Sequence, residues 1–194
     1  METETAENFF ANLEWFARFF QDIKWLLRER VKESLKKEGY TGDWSGYPKE
    51  MRDPTMPTHY TVTFEGSGRP RVQVTALLRR EWGNEDIPVQ EPMLMVVVHD
   101  LKREDFGVSD SIRDYTYIKE FKSEGAGLPF AGILDWKEPV GFHGFFVPLD
   151  AFNDKNCQDE LAADRVIQEK IVVPLRAILD EHFSKPGKKP KTGA

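Results

Sequence analysis

Apolar residues recur at spacings of three and four from Phe9 through Leu13, Phe16, Phe20, Ile23, Leu27 and Val31, which is the period of one face of an α-helix. The pattern predicts one long helix over residues 6–38, with Thr5 placed to cap its start and Gly39 its end. Large residues also lie off this stripe: Phe10, Trp15, Phe19, Trp25 and Leu26. A turn of about 100° per residue sets Trp25 among Glu14, Arg18 and Lys32 on the polar side. A single sheet cannot cover all of that apolar surface, so a second covering surface is expected.

The period then changes. Residues 40–58 show neither helical nor strand spacing and hold glycines, prolines and aromatics, which predicts a long structured loop. "HYTVTFE" alternates Tyr60, Val62 and Phe64 with polar residues, "GSGRP" supplies a turn, and "RVQVTALLRREW" continues as a second strand. The run "PMLMVVVH" is too continuously apolar for a sheet with one wet face and predicts a central strand. Residues 101–113 suggest a short helix, and "DYTYIKEFK" a strand that also fits helical spacing. "LPFAGILDW" and "GFHGFFVPL" read as two more strands around a turn at Pro139 to Gly141, with Pro148 pointing to an edge position for the second. A closing helix over residues 154–183 presents Ile167, Ile171, Leu175 and Ile178, and Pro174 should kink or split it.

This order predicts an α+β fold: a mainly antiparallel sheet of about five to six strands flanked by a long N-terminal helix and a C-terminal helix. Residues 1–183 are expected to form one domain, and 184–194 a disordered basic tail.

Composition sharpens the picture in three places. An apolar fraction of 40% with 12% aromatics indicates a folded chain, since disordered segments lack that surface. The net charge is −6, and setting aside the four lysines of the tail leaves the body at −10. Such a field repels a phosphate backbone, so nucleic acid is disfavoured except through a local groove or the tail, and basic protein partners fit better. One cysteine, Cys157, permits no internal disulfide, and the acidic N-terminus with a charge-interrupted helix resembles neither a signal peptide nor a membrane span. A cytoplasmic protein without membrane association is the expectation.

Candidate chemistry is sparse. Asp100-Leu101-Lys102 follows the apolar strand and matches half of a nuclease-type site, in which a carboxylate holds Mg²⁺ and a lysine steadies hydroxide or phosphate. Completing it needs a second carboxylate, for which Glu65 and Glu14 are the candidates; Glu120-Phe121-Lys122 repeats the pattern, which shows how readily it arises by chance. Of the four histidines, His99 and His143 would converge on a metal, with Asp100, if their strands were neighbours. Acidic residues crowd Cys157 and oppose a reactive thiolate. Nucleotide and hydrolase glycine motifs are missing, and the P-x-x-P of "DPTMP" reads as turn chemistry.

Aromatic surplus is the stronger signal, because rings beyond the needs of a core mark partner surfaces. Phe10, Trp15 and Trp25 of the long helix, with Tyr40, Trp44 and Tyr47 of the following loop, are the expected partner-binding residues. The expected function is therefore a non-enzymatic protein-binding module of chaperone, adaptor or inhibitor type, needing no cofactor, with a homo-oligomer left open. In element order alone, such an acidic helix-sheet-helix chain is similar to small secretion chaperones and toxin-neutralising immunity proteins. The alternative is a Mg²⁺-dependent nuclease using Asp100 and Lys102, and a weaker third is a small-molecule pocket in the glycine-aromatic segment of residues 127–146.

Overall fold

A computed structural model describes residues 18, 21–23, 25–43, 59–77, 92–101, 108–113, 117–123, 129–136, 138–153, 156–157 and 159–183. Its centre is a seven-stranded antiparallel sheet in the order β1-β2-β3-β4-β7-β6-β5. The strands are β1 (Thr41–Asp43), β2 (His59–Glu65), β3 (Arg71–Leu77), β4 (Met93–His99), β5 (Ile118–Ser123), β6 (Pro129–Trp136) and β7 (Glu138–Pro148). β4 is the middle strand and all seven of its residues are buried, as its unbroken apolar run requires of a strand covered on both faces.

Strand alternation sends two sets of side chains to two cores. On one face Val62, Phe64, Val72, Val74, Leu94, Val96, Val98 and Phe145 meet both long helices. The N-terminal helix contributes Ile23, Leu27 and Val31 of the predicted stripe, and the C-terminal helix all four predicted residues. On the other face Met93, Met95, Val97, Phe130, Leu134, Phe142 and Phe146 pack with Val108 and Ile112 of the short helix Val108–Arg113.

The N-terminal helix ends as Gly39 predicts. Gly39 has φ 81°, its N–H donates to the Lys36 carbonyl at 3.0 Å, and the N–H of Tyr40 donates to the Leu35 carbonyl at 3.0 Å. This paired closure needs a left-handed residue, and Tyr40 and Leu35 then pack in the same core. Pro174 stands at the start of the stretch Val173–Ile178, directly after the π-helical turn Gln168–Val172. A wider turn there relieves the carbonyl that a proline would crowd, so the helix changes pitch while its backbone stays helical.

Three expectations are revised. β1 is an extra strand inside the segment read as loop: three residues long and containing a glycine, it has no alternation to detect and forms by pairing Thr41 with Glu65 on β2. The β6/β7 ladder runs on to Trp136 and Glu138, so the chain reverses between them and Pro139 to Gly141 belong to the strand. β7 is interior, between β4 and β6. Among the described residues its pairing with β6 runs as far as Phe145, and Pro148 pairs with Met93 of β4.

Candidate functional site

The predicted metal half-site is spread over the sheet. Asp100 is exposed just beyond β4, while Glu65 ends β2 with β3 between them, and the Arg71 guanidinium lies 2.6 Å from the Glu65 carboxylate. Glu14 and Lys102 lie outside the described residues, and among the described residues no group of three His, Cys, Asp or Glu side chains could hold a metal ion.

His99 and His143 do sit on adjacent strands, but their register keeps them apart. His99 pairs with Phe142, and His143 with Val98. One step of register in a strand is one reversal of face, so the two imidazoles point to opposite sides of the sheet. His99 is 1% exposed; its Nδ1 accepts from the Leu101 N–H at 3.2 Å, and its buried Nε2 has no partner. Burial, and then the nearby Arg71 charge, lower its pKa from 6.5 to about 4.

The proposed partner-binding residues also divide. Phe10, Trp15, Trp44 and Tyr47 lie outside the described residues. Tyr40 corrects the expectation, because closure of the helix end turns its ring into the core at 1% exposure, 5.5 Å from the Arg69 guanidinium. Burial raises its pKa, the Arg69 charge opposing, and its hydroxyl is unpartnered in the core. Trp25 faces outward at 44% exposure, as the helical spacing predicts.

A fixed setting surrounds Trp25. The π-helical turn Leu26–Val31 follows it, and a wide turn brings the residue five positions on alongside the first. The Arg30 guanidinium accordingly lies 5.9 Å from the indole centroid. Arg30 also bridges to the C-terminal helix, with Nη1 2.9 Å from the Glu160 carboxylate and Nη2 2.7 Å from Asp164. Leu161, 74% exposed, follows Glu160 along that helix. The seam between the two long helices therefore carries an indole and a cation clamped between carboxylates.

A second feature lies at the opposite edge of the sheet. Lys122, Ala131 and His143 are paired across β5, β6 and β7 on the helix-side face, and Ile178 and His182 of the C-terminal helix pack over them. Together with Phe121, Ser123, Pro129 and Phe130 they line an open groove of about 540 Å³. The His143 and His182 rings stack 3.8 Å apart at 11°, and the Phe183 ring meets His143 edge-on at 5.7 Å. Burial and then the His182 charge lower the His143 pKa, with Glu181 opposing. No spacing rule pairs these two histidines, because only the packing of the last helical turn over β7 brings them together; the glycine-aromatic composition around His143 was the one visible hint.

Among the described residues no helix is long and apolar enough to cross a membrane. No family model, curated protein or solved structure matches this chain.

Proposed function

We infer that this protein is a non-enzymatic binding module of chaperone, adaptor or inhibitor type, which engages a basic protein partner through the seam between its two long helices. Trp25 carries this reading: an indole 44% exposed yet set beneath Arg30 is an ordered aromatic anchor rather than a floppy surface residue. Trp and Arg dominate the energetics of protein interfaces because they bury much area for few rotors, and an anchor ordered in advance loses less entropy on binding. The acidic body, with Glu160 and Asp164 at the seam itself, favours a cationic partner and repels a second copy of this chain.

The test uses the full chain and a designed amphipathic helical peptide of leucine and lysine, with its leucine-glutamate counterpart as control. The fluorescence difference between wild type and Trp25→Phe isolates the Trp25 signal. A saturable blue shift with the basic peptide alone, lost in Arg30→Ala, is expected. Absence of any saturable shift removes the support for this reading. Solution scattering that shows a dimer dissolved by Trp25→Ala replaces the basic partner with a second copy.

A further inference from the structure

We propose that the outer edge of β5 pairs with the β5 edge of a second copy of this chain, antiparallel about a twofold axis through Phe121, so that two sheets join into one. β5 is the last strand in the order β1-β2-β3-β4-β7-β6-β5, and among the described residues no strand pairs with its outer side. The outer edge of a terminal strand is a template for another strand, because its backbone donors and acceptors alternate at the spacing of a ladder. This surface is distinct from the seam between the long helices, and the proposal does not rest on that seam.

The charges select the register. Beyond the bulge between Ile118 and Glu120, β5 runs regularly, with Phe121, Lys122 and Ser123 opposite Gly132, Ala131 and Phe130. Directly opposed residues of an antiparallel pair share the hydrogen-bonding phase and the face of the sheet, so a twofold axis between identical strands passes through a residue and not between two. An axis at Glu120 sets that carboxylate against its own copy, and an axis at Lys122 does the same to the ammonium; both are unfavourable. An axis at Phe121 sets Glu120 against the partner's Lys122, and by symmetry Lys122 against the partner's Glu120, on the helix-side face.

The other face supports the same axis. Phe121 lies there, half-buried at the margin of the second core, its ring 5.5 Å from Phe130 and 6.3 Å from Phe142. This row of rings runs out at the sheet edge, and the partner's Phe121 continues it across the axis, as a cross-strand aromatic pair. Two acidic bodies repel at long range, which disfavours a second copy at the helix seam. On β5 itself Lys119 and Lys122 outnumber Glu120, and physiological salt screens the more distant acids over about 8 Å. A ladder this short belongs with interfaces below about 1,200 Å², so the dimer is a weak one, with a Kd of about 0.1 mM.

Sedimentation equilibrium of the full chain at physiological salt, up to about 0.5 mM, is the test. A concentration-dependent dimer is expected in the wild type. Lys122→Glu and Glu120→Lys should each weaken it about tenfold, because each change creates two like-charged pairs across the axis. Both substitutions in one chain restore opposite charges, and so does an equimolar mixture of the two single variants, which should form a heterodimer at wild-type strength. That recovery also shows that the single variants are folded. A wild type that stays monomeric, single variants that associate like wild type, or a mixture that fails to recover overturns the proposal. A dimer abolished by Trp25→Ala and untouched by Lys122→Glu overturns it as well, and places the contact at the helix seam.

Discussion

The ring of Phe130 lies across Gly144, its partner on the neighbouring strand, so closely that a Cβ on the glycine would collide with the ring and with the Val96 carbonyl oxygen. Two pairs further along the ladder, Phe142 covers Gly132 in the same way, with the Glu120 carbonyl on the far side. Each glycine gives its partner's ring room to lie flat on the sheet. Phe130 can then reach Phe121, Phe142 and Phe146, at centroid distances of 5.5, 6.3 and 4.8 Å. These glycines are therefore packing positions within strands and not turns.

Gly144→Ala should be severely destabilising. Overpacking a filled core costs about 1–3 kcal/mol, and the upper end applies because one of the three atoms struck is a backbone oxygen that cannot swing aside. Gly141→Ala is the internal control: a Cβ there meets nothing within 4 Å, and the change should stay within about 0.5 kcal/mol of wild type. Urea unfolding of both variants decides the point. Similar midpoints for the two would mean that the Phe130 ring moves aside freely.

The element types were legible where one period ran without interruption. β4 could be read from six consecutive apolar residues, Met93 to Val98, and the C-terminal helix from four at helical spacing, because burial on fixed faces leaves a repeat in the chain. What escaped reading depended on contacts between distant segments. Three-residue β1 has no period of its own, and the His143–His182 stack exists only because the C-terminal helix crosses β7. Tyr40 shows the limit from the other side: composition placed it in a surface loop, whereas the backbone closure at Gly39 turned it inward. His99 and His143 needed register as well as adjacency, and register is invisible until the strands are paired.

Arg30 couples the two long helices, and its removal should loosen both. Arg30→Met keeps the apolar stem but loses the contacts to Glu160 at 2.9 Å and Asp164 at 2.7 Å. A loss of about 1–2 kcal/mol is expected, because the guanidinium is largely shielded and serves two carboxylates at once. In a double-mutant cycle with Asp164→Ala the losses should fall short of additive by more than about 0.5 kcal/mol. Acrylamide should also quench Trp25 more efficiently once the cation above its ring is gone. Strict additivity would reduce these ion pairs to surface decoration.

Glu38 and Arg176 join the end of the N-terminal helix to the C-terminal helix through a two-pronged contact, Nε to Oε2 at 2.8 Å and Nη2 to Oε1 at 2.5 Å. The hydrogen bond from Arg176 is the main reason that the Glu38 pKa falls below its ordinary 4.5. A carboxylate depressed on folding contributes stability that is fully present above its unfolded pKa and is lost as pH falls through the folded value. Glu38→Gln should therefore destabilise the protein at pH 7 and have little effect once the pH is well below the ordinary carboxylate range. Unfolding midpoints measured across that acid limb check the sign, and equal destabilisation at both ends would rule out the ion pair as the cause.

His99 acts in the opposite sense and in a different window. Its Nδ1 accepts the Leu101 N–H, so the neutral ring carries its proton on Nε2, which is buried without an acceptor. Taking up a second proton would place a charge in the core, away from water and beside Arg71, which is why the pKa drops from 6.5 to about 4. The unfolded chain binds that proton more readily than the folded one, so stability is highest above pH 6.5 and falls as the pH drops towards 4. The linkage amounts to about 2 kcal/mol lost between pH 7 and pH 5. His99→Leu removes both the titration and the unpaired donor. Its stability should therefore vary less over that interval, by about the same 2 kcal/mol, and should gain about 1 kcal/mol at pH 7 if the leucine packs well. Parallel stability curves for the two proteins between pH 7 and pH 5 would show that this histidine is protonated in the fold as easily as in the open chain.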